Sequence, residues 1–158
     1  MAKLAFQVNV ADLLHRPGAR RREHVAGPIE AMQVMDTAVA EGATATVDAL
    51  LEWVADGVLA TGSAAVEWTG LCRRCLAPVG GRAAAQFQEL YEPRAREGET
   101  YPLKGDRIDL APLAREALLL ELPLAPLCQE ACAGLCPACG ADRNAGPCAC
   151  LGPEGDPR

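Results

Sequence analysis

Eight cysteines fall into four tight pairs, Cys72 with Cys75, Cys128 with Cys132, Cys136 with Cys139 and Cys148 with Cys150, the first pair standing more than fifty residues ahead of the rest. Closely spaced thiols are how proteins present sulfur to a tetrahedral metal: one tight turn supplies two ligands, and two turns complete the set. The run Cys136 to Gly140, CPACG, has the form of a zinc knuckle, whose glycine lets backbone amides approach the sulfurs. Four pairs therefore point to two Zn²⁺ ions. The competing reading, a disulfide framework, belongs to oxidising compartments. Gln7, Asn9 and Asp12 interrupt the N-terminal apolar stretch below signal-peptide length. Nor does any segment reach the ~18 apolar residues of a membrane span. The expectation is a cytoplasmic chain with reduced, metal-binding thiols.

At 158 residues and 16.6 kDa the chain is one domain's worth. Half the residues are apolar but only 4% are aromatic, so Ala, Val and Leu must fill the interior. Zinc can supplement such a core, because a structural site contributes on the order of 10 kcal/mol to folding. The net charge of −6 argues against nonspecific coating of nucleic acid, which needs a surplus of Lys and Arg facing phosphates.

Residues 4 to 10 alternate with Leu4, Phe6, Val8 and Val10 on one face, a strand pattern. Residues 16 to 24, RPGARRREH, form the one concentrated basic stretch and read as a loop from Pro17 and Gly18. From Thr44 a period-two pattern places Val47, Ala49, Leu51 and Trp53 on one side; Asp56-Gly57 signals a hairpin turn; Val58, Ala60, Gly62, Ala64, Val66 and Trp68 then share a face. A third strand, with Val79, Ala83, Ala85 and Phe87 on one face, follows the first cysteine pair. Residues 92 to 106 lack periodicity and read as an exposed loop without core. Asp109 reads as an N-cap for a helix that buries Leu110, Leu113, Ala114, Ala117 and Leu118 and ends at Pro123. The tail at 151–158 reads as disordered.

The expected fold is α+β: a long-stranded antiparallel β-meander, curled into a partial barrel or lying flat, with one packed helix and a C-terminal zinc-binding segment. Residues 1–150 form the expected single domain, divided into 1–43 (strand and basic loop), 44–126 (meander and helix) and 127–150 (zinc-binding segment). Spacing alone leaves several ligand divisions open. The short Gly, Asp, Asn and Pro loop at 140 to 147 favours Cys136, Cys139, Cys148 and Cys150 as one site, leaving Cys72, Cys75, Cys128 and Cys132 as the other. Four thiolates leave no open position for water or substrate, which argues against zinc catalysis. His15 and His24 lie far in sequence from every cysteine pair, and no nucleophile elbow or phosphate-cradling glycine loop is present, so no enzyme activity is expected.

The hairpin ending in Gly70-Leu71-Cys72-Arg73-Arg74-Cys75-Leu76, then Ile108-Asp109-Leu110, then Leu122-Pro123-Leu124, then CAGLCPACGADRNAGPCAC at 132 to 150, together resemble the YceD family of large ribosomal RNA subunit accumulation proteins. The similarity runs from about residue 44 to Cys150. It implies a noncatalytic ribosome-biogenesis factor supporting accumulation of large-subunit (23S) ribosomal RNA. The implied partners are that RNA or a pre-ribosomal particle, and a small basic zinc-ribbon ribosomal protein. Candidate phosphate contacts are Arg16, Arg20, Arg21, Arg22, Arg73 and Arg74, with Lys104 if folding brings it near. The rival functions are a zinc-ribbon protein-interaction adaptor unconnected with ribosomes and a thiol redox switch.

Overall fold

A computed structural model of the protein describes residues 4–150, so the expected tail at 151–158 lies outside the described residues. The elements run β1 (Gln7–Asn9), β2 (Arg20–Pro28), β3 (Met32–Val34), β4 (Thr37–Val39), β5 (Thr44–Val54), β6 (Gly57–Leu71), β7 (Pro78–Glu92), β8 (Tyr101–Pro102), β9 (Arg107–Asp109) and α1 (Leu110–Glu121). The fold is mostly antiparallel sheet with one helix, as the alternation of apolar residues indicates.

Strand β6 is the spine. Strand β7 pairs along one edge from Val58 to Leu71, while the other edge is shared by β5 over Gly57 to Ala65 and β4 over Thr69 and Gly70. Strand β2 extends the sheet beyond β5, β3 beyond β4, and β8 runs parallel to β7. No ladder among the described residues closes this path into a barrel. Strands β1 and β9 form a separate ribbon, with Val8 opposite Ile108.

The inner face follows the period-two pattern. Val47, Ala49, Leu51 and Trp53 of β5 join Val58, Ala60, Ala64 and Val66 of β6 and Ala83, Ala85 and Phe87 of β7. Phe6, Val8, Val10 and Leu13 cover part of it, and α1 covers more with Leu110, Leu113, Ala114 and Leu118. Asp109 caps the helix by accepting from the Ala111 amide at 2.9 Å, which satisfies one of the donors a helix start leaves unpaired. Tyr91 is fully buried, and its hydroxyl donates to the Asp109 carbonyl at 3.0 Å, which ties β7 to the helix start.

Four local expectations need correction. Val54 pairs with Gly57, so the hairpin loop is Ala55-Asp56, with Ala55 at φ 49°, one residue earlier than the Asp-Gly signal. Gly57 is needed for another reason: a Cβ there would lie 2.5 Å from the Tyr91 carbonyl oxygen. Arg20 to His24, read as loop, belong to β2, in register from Arg20 opposite Glu52 to His24 opposite Asp48. Arg20, Arg22 and His24 are exposed while Arg21, Glu23 and Val25 are half-buried; charge at a sheet edge deters edge-to-edge pairing and here hides the alternation. Residues 92 to 106 hold β8 and the buried Leu103, whose amide donates to the Glu92 carbonyl at 3.0 Å. Leu4, placed with the apolar face, is exposed.

Candidate metal centres

Cys72 follows directly on β6, and the chain turns tightly through Cys75 before entering β7. The turn is closed by two backbone bonds, Cys72 N–H to the Ala77 carbonyl at 2.8 Å and Leu76 N–H to the Cys72 carbonyl at 2.9 Å. The second Cys-x-x-Cys repeats this pattern: Cys136 N–H donates to the Ala141 carbonyl and Gly140 N–H to the Cys136 carbonyl, both at 2.8 Å. In each turn the residue after the second cysteine is left-handed, Leu76 at φ 61° and Gly140 at φ 73°. The two turns are one knuckle used twice.

The rest of the first group arrives by way of the helix. After α1 the chain is held to the sheet by the Thr37 hydroxyl, which donates to the Pro123 carbonyl at 2.6 Å, and by the Arg73 amide, which donates to the Pro126 carbonyl at 2.9 Å. Cys128 and Cys132 then reach the first knuckle. Cys72 and Cys132 sulfurs lie 3.7 Å apart, and Cys75 and Cys128 sulfurs 3.6 Å apart. All eight thiols are free. The sulfurs of Cys72, Cys75, Cys128 and Cys132 lie within 4.8 Å of one another, and so do those of Cys136, Cys139, Cys148 and Cys150. A tetrahedron built on metal–sulfur bonds of about 2.3 Å has edges of roughly 3.8 Å, so the shortest separations in the first group match that geometry. Two clusters of four cysteines are thus arranged in a way that could hold metal ions.

The two groups differ in burial. Cys72, Cys75 and Cys132 are buried and Cys128 is exposed, whereas in the second group only Cys136 is buried. Packed this closely, the sulfurs compete for protons. Burial opposes ionisation of Cys72, but the backbone N–H groups of Cys75, Cys128 and Arg74 outweigh it and bring the thiol down to about 6. Cys132 is held low chiefly by the Asn144 side-chain amide. Cys128 is pushed up to about 12 by the neighbouring Cys132 sulfur and by burial. In the second group the Cys139 and Ala138 amides bring Cys136 down to about 6, and Cys139 drives Cys150 up to about 12. A divalent cation favours the thiolate at every one of these positions, so the donor set fits such an ion.

Of the arginines singled out as phosphate contacts, Arg16, Arg20, Arg22 and Arg73 are exposed. Arg21 is engaged within the protein, in ion pairs with Asp12 at 2.5 Å and Glu23 at 2.6 Å. Arg74 is engaged too, donating to the backbone carbonyls of Glu130 at 3.1 Å and Cys132 at 3.0 Å, so it braces the two halves of the first cysteine group. The basic residues are not brought into one patch. Arg22 lies level with Thr61 across β5, and the ten residue steps of β6 from Thr61 to Leu71 span about 33 Å before Arg73 is reached. Lys104 sits in the exposed turn between β8 and β9. Sequence reasoning passed over Asn144 and the bracing role of Arg74, since neither side chain carries a spacing signal.

Residues 60–158 match the family model described as "Large ribosomal RNA subunit accumulation protein YceD". The chain belongs to the YceD family. Its similarity extends to uncharacterized proteins of Mycobacterium bovis and Mycobacterium tuberculosis, each 35% identical over 141 residues, which cover 84% of this chain and 68% of the relative. An uncharacterized protein of Mycobacterium leprae is 29% identical over 140 residues, covering 84% of this chain and 64% of the relative. No solved structure matches. The YceD description names an accumulation factor and no reaction, and it links the family to the large ribosomal subunit. No helix among the described residues is long and apolar enough to cross a membrane.

Proposed function

We propose that this protein is a noncatalytic ribosome-biogenesis factor of the bacterial cytoplasm that supports accumulation of large-subunit ribosomal RNA and holds one Zn²⁺ in each four-cysteine group. The observation that carries the reading is membership of the YceD family in a chain whose eight cysteines form two closed four-sulfur groups. Four protein ligands per ion leave no coordination position for a substrate, so zinc serves the fold. In this reading residues 1–150 work as one unit. The first ion pins the β6–β7 connection to the segment after α1, and the second closes the loop at the C-terminal end.

Ribosomal RNA is contacted locally, through phosphates at Arg16, Arg20, Arg22 and Arg73, because the net charge of −6 does not support broad coating. A basic ribosomal protein is the second partner. Glu89, Glu97, Glu99, Asp109 and Glu116 outnumber Lys104 and Arg107 in the lining of one cleft, and a surface with that acidic surplus complements a cationic chain.

Metal analysis of purified protein tests the zinc, with two ions per chain expected. Depleting the protein in its native host and measuring the ratio of large- to small-subunit ribosomal RNA tests the function. An unchanged ratio overturns the ribosomal reading. Nuclease-treated pull-downs then show whether a basic ribosomal protein stays bound once RNA is gone.

A further inference from the structure

The loop between the two ligand pairs of the second group does not stand apart from the first. It lies across the short segment from Cys132 to Cys136 that joins the two groups. Leu135 bridges Asp142, the Arg143 amide donates to the Gly134 carbonyl at 2.9 Å, and the Leu135 amide donates back to the Arg74 carbonyl at 3.2 Å. At the tip of this loop stands Asn144, five residues after Cys139 and four before Cys148.

Its amide orientation follows from its partners. The Ala133 backbone N–H can only donate, and it lies 2.8 Å from Asn144 Oδ1, with Gln129 Nε2 at 3.2 Å from the same oxygen. The side-chain nitrogen must therefore be the group facing Cys132 Sγ at 3.3 Å and Asp142 Oδ1 at 2.9 Å. A residue anchored between two ligands of one cysteine group thus donates a hydrogen bond to a sulfur of the other.

We infer that Asn144 couples the two centres: metal in the Cys136, Cys139, Cys148 and Cys150 group fixes the loop that presents its amide to Cys132, and so tightens metal binding by Cys72, Cys75, Cys128 and Cys132. This rests on the metal-binding reading above. An N–H donor stabilises a sulfur that carries thiolate charge, and partners of this kind around a metal site are worth 10- to 100-fold in affinity. A loop clamped at Cys139 and Cys148 holds the donor in place; one released at both ends pays the ordering entropy at every encounter. Linkage makes the effect reciprocal, so loss of the first site weakens the second by the same factor.

The test uses zinc-loaded full-length protein, challenged with increasing chelator in the presence of an alkylating agent. Mass spectrometry then reads protection at each cysteine, which follows the two centres separately. Asn144→Asp keeps the shape and the oxygen that accepts from Ala133 but removes the donor. It should lower the chelator concentration that frees Cys72 and Cys132 by about 10-fold or more. Cys148→Ser with Cys150→Ser should do the same, and adding Asn144→Asp to that pair should change the midpoint by roughly twofold at most. Unchanged protection at Cys72 and Cys132 in either background overturns the coupling while leaving two zinc sites standing. Wild-type protein with no cysteine protected overturns the metal reading itself, and the coupling with it.

Discussion

Leu76 occupies in the first knuckle the place that Gly140 occupies in the second, each left-handed and each donating its amide to the carbonyl of the cysteine four residues earlier. A side chain at that φ costs about 1–2 kcal/mol, which Gly140 avoids and Leu76 does not. Leu76 is 57% exposed and so contributes little by burial. Replacing it with Gly relieves the strain at the expense of about 0.5–1 kcal/mol of extra unfolded-chain entropy. Leu76→Gly should therefore be neutral to about 1 kcal/mol stabilising in chemical denaturation of the metal-loaded protein. Leu76→Ile, branched at Cβ, should lose about 1 kcal/mol or more. Both variants losing stability equally would show that the leucine side chain, rather than its backbone angle, is what this position needs.

Gly62 offers a sharper case within the sheet. A Cβ there would stand 1.9 Å from the Asp48 carbonyl oxygen and 2.8 Å from the Ala49 Cα, both backbone atoms of β5 that cannot swing aside. Gly62→Ala should cost about 3 kcal/mol or more, as overpacking against a fixed neighbour does. Gly80 on β7 is the control, because a Cβ there meets only the Trp68 carbonyl oxygen at 3.2 Å. Gly80→Ala should cost about 1 kcal/mol or less. Thermal or urea unfolding midpoints separate the two.

The parts of the fold legible beforehand were those where burial is one-sided. Val47 to Trp53, Val58 to Val66 and Ala83 to Phe87 alternate because one face meets the core and the other meets water, and period two records that directly. Strand β2 was hidden because its half-buried positions include Arg21 and Glu23, whose charges are satisfied by Asp12 and by each other, a pairing that only the folded chain creates. The strands β3, β8 and β9 are two or three residues long, too short for any periodicity. The gathering of the cysteines into two groups of four was legible from spacing, since thiols two to four residues apart are brought together by a single turn. Asn144 and Arg74 act through single hydrogen bonds to distant atoms, and a side-chain amide or guanidinium carries no mark of its partner.

The arginines divide into two kinds with separable consequences. Arg20 and Arg22 are exposed on the outer face of β2, so replacing both with Ala should weaken RNA binding. The slope of log affinity against log salt should also fall, by about 0.7 for each phosphate of a single-stranded RNA that is no longer neutralised. Arg74→Ala should leave that slope alone. It removes the guanidinium shared by the Glu130 and Cys132 carbonyls and should lower stability by about 1–3 kcal/mol. Filter-binding across a salt series, paired with unfolding curves, reads both effects. A slope unchanged by the Arg20 and Arg22 replacements removes β2 from the RNA surface.

Thr37 tests whether the sheet positions the first four-cysteine group. It is fully buried on β4, and its hydroxyl reaches the Pro123 carbonyl across 2.6 Å, five residues before Cys128. Valine has nearly the same shape but no donor, so Thr37→Val leaves the carbonyl without this partner and should cost about 1–2 kcal/mol. The chain from Pro123 to Cys128 then loses this tie to the sheet and keeps the Arg73 amide on Pro126, which ties it to the first cysteine turn. Metal should leave the Cys72, Cys75, Cys128 and Cys132 group faster in Thr37→Val than in wild type, read as cysteine alkylation under chelator. Thr37→Ser keeps the hydroxyl while losing one methyl, and should release metal at the wild-type rate despite a stability loss of about 1 kcal/mol. Equal release rates from the Val and Ser variants would mean that burial at this position, and not the hydrogen bond, holds Cys128 in place.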